Sequence, residues 1–96
     1  MGFFRRFFGN NGQGQTEAMI RANIQKIGLH HFPDDEDAIW NIDSIEFLNG
    51  MYAVATTPVP HVGYPHIRFH MRNPSIDGVA SADYLENGHW VELFRS

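Results

Sequence analysis

The sequence predicts a two-layer α+β domain, in which one amphipathic helix packs on an antiparallel meander of about five strands. Three observations support this fold class: isoleucines at helical spacing, two Asn-Gly pairs between apolar runs, and a segment that alternates between apolar and basic residues. A chain of 96 residues with 43% hydrophobic residues has room for one thin core. We therefore divide it into an N-terminal segment, residues 1–15, and a single domain, residues 16–96.

The predicted helix begins at Thr16, whose side chain can cap the first turn, and ends at Gly28. Ile20, Ile24 and Ile27 recur at the spacing of one helical face, and the polar residues between them fall largely on the other side. We expect the isoleucine face to lie on an apolar surface.

An acidic run, "DDEDAIW", occupies residues 34–40 after Pro33. Because runs of charge are usually solvated, we interpret it as an exposed loop or the first turn of a short helix rather than a cation site. The Asp-x-Asp-x-Asp-Gly spacing of a calcium loop is missing. Trp40, at the end of the run, is predicted to lie in the core.

Two Asn-Gly pairs, Asn49-Gly50 and Asn87-Gly88, each predict a tight hairpin, because a type I′ turn needs positive φ at both central residues. In the first hairpin Leu48 pairs with Met51, and the face expected to be buried carries Phe47, Ile45, Tyr52 and Val54. In the second hairpin Glu86 pairs with His89, and the further partners are Tyr84 and Val91, Ala82 and Leu93, and Leu85 and Trp90. Both faces of the second hairpin carry apolar residues, so we hypothesise that it is covered on two sides.

The segment "HIRFHMR", residues 66–72, predicts a half-buried strand with Ile67, Phe69 and Met71 on the inner face. The outer face carries a basic stripe, His66, Arg68, His70 and Arg72. One interpretation is a solvent face that is neutralised by cross-strand acids such as Glu46, Asp83 or Glu92. The other is an anion site, in which arginine and histidine donors hold a carboxylate or phosphate in the concavity of the sheet. Such a site would serve a small ligand-binding domain or a small enzyme, with His61 or His89 as further members.

Residues for metal binding and covalent catalysis are few. The chain has no cysteine, and its serines lack the Gly-x-Ser-x-Gly context of a nucleophile. His66 and His70 would lie about 13 Å apart along a strand, too far to share one ion. His30 and His31 are interpreted as capping residues at the helix end. We predict no metal and no cofactor, leave a composite site with His61 or His89 open, and favour a protein that is not an enzyme.

The N-terminal stretch "GFFRRFF" is unusually aromatic for a segment outside the predicted domain. On a helix its aromatic residues would lie on one side and its arginines on the other, the six residues being Phe3, Phe4, Phe7, Phe8, Arg5 and Arg6. The stretch "GNNGQGQ", residues 9–15, is interpreted as a polar linker. We interpret the aromatic segment as an anchor, which could dock on this domain's own sheet, on a larger protein, or on an anionic membrane surface.

Charge narrows the classes of partner. Arg5 and Arg6 are two of the 7 basic residues, so residues 16–96 carry the remaining 5 against all 11 acids, a net charge of −6. An acidic body does not attract nucleic acid. We expect a cytoplasmic, non-enzymatic accessory protein that docks to a larger assembly through the N-terminal segment, with peripheral membrane contact and a homo-oligomer left open. An acidic inhibitor or immunity-type protein, which masks a basic surface, is a further alternative.

Overall fold

The structure is a computed structural model that describes the backbone of residues 2–95 and the side chains of residues 14–95. Its elements are α1 (Gly2–His31), β1 (Ile39–Leu48), β2 (Met51–Val59), β3 (Ile67–Met71), a 3-10 turn (Ile76–Gly78), β4 (Val79–Glu86) and β5 (His89–Arg95). The five strands form one open antiparallel sheet whose spatial order follows the chain, β1 to β5. The predicted fold class, one helix on an antiparallel meander, is therefore confirmed.

The isoleucine face of α1 lies on the sheet as predicted. Ile20 and Ile27 are fully buried and Ile24 is 5% exposed. They meet the inner side of β3, where Ile67, Phe69 and Met71 are all buried, and this confirms the alternation predicted for that strand. The core thus lies between the helix and one face of the sheet.

The predicted ends of the helix are both wrong. Gly14 and Gln15 are already helical, so Thr16 lies inside α1 instead of capping it. The helix also continues past Gly28 to His31. The first five residues of the predicted linker, residues 9–13, lie outside the described side chains. The division of the chain at residue 15 stays a prediction.

Gly28 is a contact residue rather than a stop signal. A Cβ atom placed on it would lie 2.2 Å from the indole ring of Trp40, so only glycine lets the helix approach this ring so closely. Trp40 itself is 4% exposed and belongs to the core, as predicted. A glycine near the end of a helical pattern therefore marks close packing here instead of a C-cap.

Gln25 joins the helix to the edge of the sheet. Its side-chain amide donates to the Ala38 carbonyl oxygen over 2.6 Å, and its carbonyl oxygen accepts from the Trp40 backbone N–H over 3.1 Å. These are bonds that a further strand would make, so one helix side chain covers the start of edge strand β1.

Both Asn-Gly hairpins form as predicted, with φ of 54° and 80° at Asn49 and Gly50 and 53° and 81° at Asn87 and Gly88. Every partner predicted for the first hairpin is observed, although Phe47 remains 49% exposed at its tip.

In the second hairpin three of the predicted pairs are observed: Glu86 with His89, Leu85 with Trp90, and Tyr84 with Val91. Ala82, however, pairs with Phe94 and not with Leu93, because a β-bulge shifts the register between Ala82 and Asp83. The hypothesis of cover on both sides of this hairpin is also wrong within residues 14–95, where Trp90 is 37% exposed.

The acidic run forms turns between α1 and β1, so its interpretation as an exposed loop is confirmed. Backbone bonds from Asp35 N–H to the Phe32 oxygen and from Ala38 N–H to the Asp35 oxygen hold these turns.

Candidate anion site on the open face of the sheet

The face of the sheet turned away from α1, here called the open face, carries the basic stripe. Its small residues are Ser44 on β1, Ala53 and Ala55 on β2 and Ser81 on β4, and the longer side chains of Arg68 and His70 stand between them on the central strand β3. Three sets of polar residues on the open face have distinct surroundings.

The first group is built around the Asp83 carboxylate. Arg68 Nη2 donates to Asp83 Oδ2 over 2.7 Å and His70 Nε2 donates to the same oxygen over 2.8 Å. Burial alone would raise the pKa of Asp83, but the hydrogen bonds and charges of Arg68 and His70 outweigh it, and the net pKa is lowered. The Arg68 guanidinium also lies over the Trp90 ring, 4.2 Å from its centre. Arg68 and His70 are thus largely committed to Asp83.

The second group is a chain of three side chains, Asp43, Thr57 and His66. Thr57 Oγ1 lies 2.5 Å from Asp43 Oδ2 and 3.2 Å from His66 Nδ1. A hydroxyl has one proton, and the ionised carboxylate can only accept, so Thr57 donates to Asp43 and accepts from His66 Nδ1–H. This arrangement places the proton of the imidazole on Nδ1 and leaves Nε2 as a hydrogen-bond acceptor.

The third group lines a shallow groove of about 330 Å³ at the end of the sheet where β5 finishes. Its walls are formed by Met51, His70, Arg72, Ala80, Ser81 and Arg95. Ser81 pairs with His70 on one side and with Arg95 on the other, so the three residues form a row across β3, β4 and β5. Arg72 lies two residues beyond His70 along the chain.

The groove is cationic. Two exposed guanidinium groups, those of Arg72 and Arg95, stand at its walls, and no acid is among the described residues that line it. Arg95 Nη2 donates to Glu92 Oε1 over 2.7 Å. This hydrogen bond and the negative charge of Glu92 raise the pKa of Arg95. Arg72 makes no ion pair with any residue between 14 and 95, so its charge is available to an anion.

The basic stripe predicted from the sequence is thus one face but not one site. His66 belongs to the Thr57 chain, and Arg68 and His70 are neutralised by Asp83, as one interpretation proposed. Glu92 instead pairs with Arg95, and Glu46 makes no ion pair within the described range. Of the two groove arginines, Arg72 makes no ion pair within residues 14–95, and Arg95 lines the groove while paired with Glu92.

Arg95 was missed by the sequence reasoning. Its position beside Ser81 depends on the β-bulge at Leu93, since unbroken alternation from the Asn87-Gly88 turn would place it on the opposite face.

His31 was predicted to cap the helix end, but it lies at the border of the core. Its ring instead stacks on Phe94 at 4.8 Å between ring centres and lies 6.0 Å from Phe69. Burial, with a smaller contribution from the neighbouring His30, lowers the pKa of His31. Its Nε2 atom is buried with no hydrogen-bond partner in the described part of the chain. The uncharged imidazole therefore acts as an aromatic packing residue.

Three further sequence-based predictions concern metals, membranes and the anchor. Within residues 14–95 no group of three or more His, Cys, Asp or Glu side chains is arranged to hold a metal ion, and this includes His61 and His89. No helix among the described residues combines the length and hydrophobicity required to cross a bilayer. The aromatic anchor, Phe3, Phe4, Arg5, Arg6, Phe7 and Phe8, lies outside the described side chains.

No protein-family model, curated protein or solved structure matches this chain.

Proposed function

We propose that this protein is a non-enzymatic binding protein and that the groove on its open face holds a carboxylate or phosphate group of its ligand. The observation that carries this proposal is the pair of guanidinium groups, Arg72 and Arg95, at the walls of a groove without an acidic side chain. Guanidinium groups match the planar, two-oxygen geometry of such anions, and the Ser81 hydroxyl supplies a further donor.

Because the groove is shallow and open to solvent, it should bind a free anion only weakly. Hydrogen bonds to charged groups contribute about 1.5–3 kcal/mol each, and association costs several kcal/mol, so a free anion should bind with a Kd in the millimolar range. A shallow, solvated groove is better suited to one charged group of a larger partner than to enclosing a whole small molecule.

Two features favour binding over catalysis. The Nε2 atom of His70 donates to Asp83, so this nitrogen is occupied at the wall of the groove. His66, whose Nε2 is accessible, belongs to the separate Thr57 chain and does not line the groove. The second ring nitrogen of His70, Nδ1, makes no hydrogen bond to the Ser81 hydroxyl within residues 14–95, so the groove pairs cations with a hydroxyl that no base activates.

The test is a titration of the full chain with inorganic phosphate and with citrate, followed by ¹H–¹⁵N NMR. We expect saturable shifts at Arg72, Ser81 and Arg95, with a Kd near 1 mM, and at least a fivefold weaker Kd for Arg72→Ala. Arg21→Ala is the matched control, because Arg21 is an exposed arginine on α1, on the other side of the sheet. The absence of shifts at the groove up to about 50 mM anion would disprove the proposal.

Docking to a larger assembly through the aromatic anchor is a second candidate. The observation that favours it is the segregation of four phenylalanines from two arginines at helical spacing, within a segment included in the bounds of α1. Burying several phenylalanines contributes on the order of 6 kcal/mol before ordering costs, enough for a specific contact with a protein or a membrane surface.

This second candidate is tested with the full chain carrying Phe4→Ser and Phe8→Ser. Retention of a partner from soluble or membrane extract should be lost in this variant, whereas phosphate binding at the groove should be unchanged. Equal retention by the variant and the wild type would exclude the anchor as a docking element.

A further inference from the structure

Both hairpin turns carry an exposed asparagine followed by glycine. Asn49 and Asn87 are exposed together with Gly50 and Gly88. Neither side-chain amide makes a hydrogen bond with any residue between 14 and 95. Asparagine is a chemically labile residue, because the next backbone nitrogen can attack its side-chain amide carbon. A following glycine has no side chain to hinder this attack.

The other asparagines between residues 14 and 95 stand in less reactive surroundings. Asn23 and Asn41 each donate to a backbone oxygen, over 2.8 Å and 3.3 Å, and each is followed by a bulky isoleucine. Asn73 precedes a proline, whose ring nitrogen carries no proton. A third pair in the sequence, Asn11-Gly12, lies outside the described side chains. Within the described range, the two turns are therefore the reactive positions.

We propose that Asn49 and Asn87 are sites of spontaneous deamidation and that modification of Asn49 weakens anion binding at the groove. The Gly50 nitrogen attacks Cγ of Asn49, its proton passes through solvent to the side-chain nitrogen, and ammonia leaves as the new C–N bond closes a five-membered imide. Water then opens the imide at one of its two carbonyl carbons, which gives aspartate or isoaspartate. The net change is one water consumed, one ammonia released and one negative charge gained.

The conformation of the turn limits the rate. Asn49 and Asn87 have nearly the same φ, 54° and 53°, as the type I′ turn requires. Closure of the imide rotates the following peptide group out of this conformation, so the tip of the hairpin must open first. Local opening of a loop tip takes less free energy than global unfolding. The folded chain should therefore react, but more slowly than the unfolded chain.

The two turns lie at opposite ends of the sheet. Met51 lines the groove and is two residues from Asn49, which is at most about 7 Å along the chain. Ser81 in the groove is six residues from Asn87, about 20 Å at the rise of a strand. Since the Debye length at physiological salt is about 8 Å, a carboxylate at residue 49 acts on a bound anion, whereas one at residue 87 is screened. This part of the inference rests on the proposed function, because it describes regulation of the same groove.

The first measurement is a peptide map of the full chain by mass spectrometry after incubation at mildly alkaline pH, which favours attack by the backbone nitrogen. We expect Asn49 and Asn87 to be converted, with Asn23, Asn41 and Asn73 intact. The same chain unfolded in guanidinium chloride gives the time in which an unprotected pair reacts. An Asn49 that stays intact in the folded chain over about a hundred times that period would overturn the assignment.

The second measurement uses Asn49→Asp, which introduces the charge directly and keeps a residue that favours the type I′ turn. Asn87→Asp is the matched control, with the same change at the distant turn. In the phosphate titration at low salt we expect a Kd about twofold weaker for Asn49→Asp than for the wild type, and an unchanged Kd for Asn87→Asp. Equal Kd values for Asn49→Asp and the wild type, or equal losses in both variants, would overturn the control of the groove.

The two measurements separate this inference from the proposed function. A wild type that binds no phosphate would disprove the proposed function and the control of the groove, and the peptide map would still decide whether Asn49 is a modified residue. Phosphate binding by a chain whose Asn49 stays intact would leave the proposed function standing and overturn the modification.

Discussion

The two faces of the sheet use the same strands and are stabilised in different ways. On the face beneath α1, the inner residues of β3, Ile67, Phe69 and Met71, are fully buried, and their apolar side chains are held by packing alone. On the open face the next residues along the same strand, Arg68 and His70, depend on a single carboxylate. Shape holds the first face together, and pairing of charges holds the second.

Substitutions on the two faces should therefore differ in their cost to stability and in their dependence on pH. An inner residue of β3 packs against several buried side chains, so its truncation should lower the free energy of unfolding strongly at every pH. An outer residue has one partner and partial access to water, so its loss should be moderate and should depend on pH.

Phe69→Ala should cost about 3–5 kcal/mol of the free energy of unfolding, because it leaves a cavity in the middle of the core. Chemical denaturation at two pH values measures it. The comparison predicts the same loss at pH 7 and pH 5, and a cost below about 1 kcal/mol would show that α1 does not pack on this face as described.

Gly28→Ala should destabilise the protein by about 1–3 kcal/mol, although alanine favours helix formation, because the added methyl group would meet the Trp40 ring. Gly14→Ala is the matched control in the same helix, since nothing lies within 4 Å of its added Cβ. That substitution should stabilise by up to about 1 kcal/mol. Thermal unfolding should show a lower Tm for Gly28→Ala and a higher Tm for Gly14→Ala than for the wild type. Changes in Tm of the same sign would contradict the close approach of α1 to Trp40.

Asp83→Asn should cost about 1–2 kcal/mol near neutral pH, because it removes the negative charge that Arg68 and His70 share. The lowered pKa of Asp83 means that the folded state holds this proton less tightly than the unfolded state. Its contribution is therefore complete above the unfolded pKa, about 3.9, and is lost as the pH falls through the folded pKa. Denaturation from pH 7 to pH 3 should show a difference between wild type and variant that shrinks at the acidic end.

Protonation of His31 should have the smallest effect. Because its pKa is lowered in the folded state, the unfolded state binds the proton first, and stability falls as the pH drops below about 6.5. His31→Phe keeps the ring stacked on Phe94 without the charge, so it should remove this slope between pH 7 and pH 5. A slope that is unchanged in the variant would assign it to another histidine.

Local patterns predicted most of the fold. The period of two in residues 66–72 identified the buried side of β3, and each Asn-Gly pair set the register of its hairpin outward from the turn. These predictions succeed because a tight turn and its strands are neighbours in the chain, so few residues decide them. The β-bulge at Leu93 broke the second register, and no turn residue marks it in the sequence.

The candidate site could be predicted only in part. The basic stripe was visible because all its members belong to one strand, but its division among Asp83, Thr57 and the groove depends on strands that are distant in sequence. Arg95 enters the groove through the bulge, and Gly28 was read as a helix end because its contact with Trp40 is made across the core. Long-range contacts between side chains are not encoded in any local period.

The order of elements along the chain has a consequence for synthesis of the protein. α1 is synthesised before any strand, so the Ile20, Ile24 and Ile27 stripe of the nascent chain at first has no sheet to cover it. Each strand then pairs with the one just completed, so every loop to be closed is short, and the sheet can grow one hairpin at a time. Until β3 is in place the helix is a target for chaperones, and translation at about 5–20 residues per second sets how many seconds that exposure lasts.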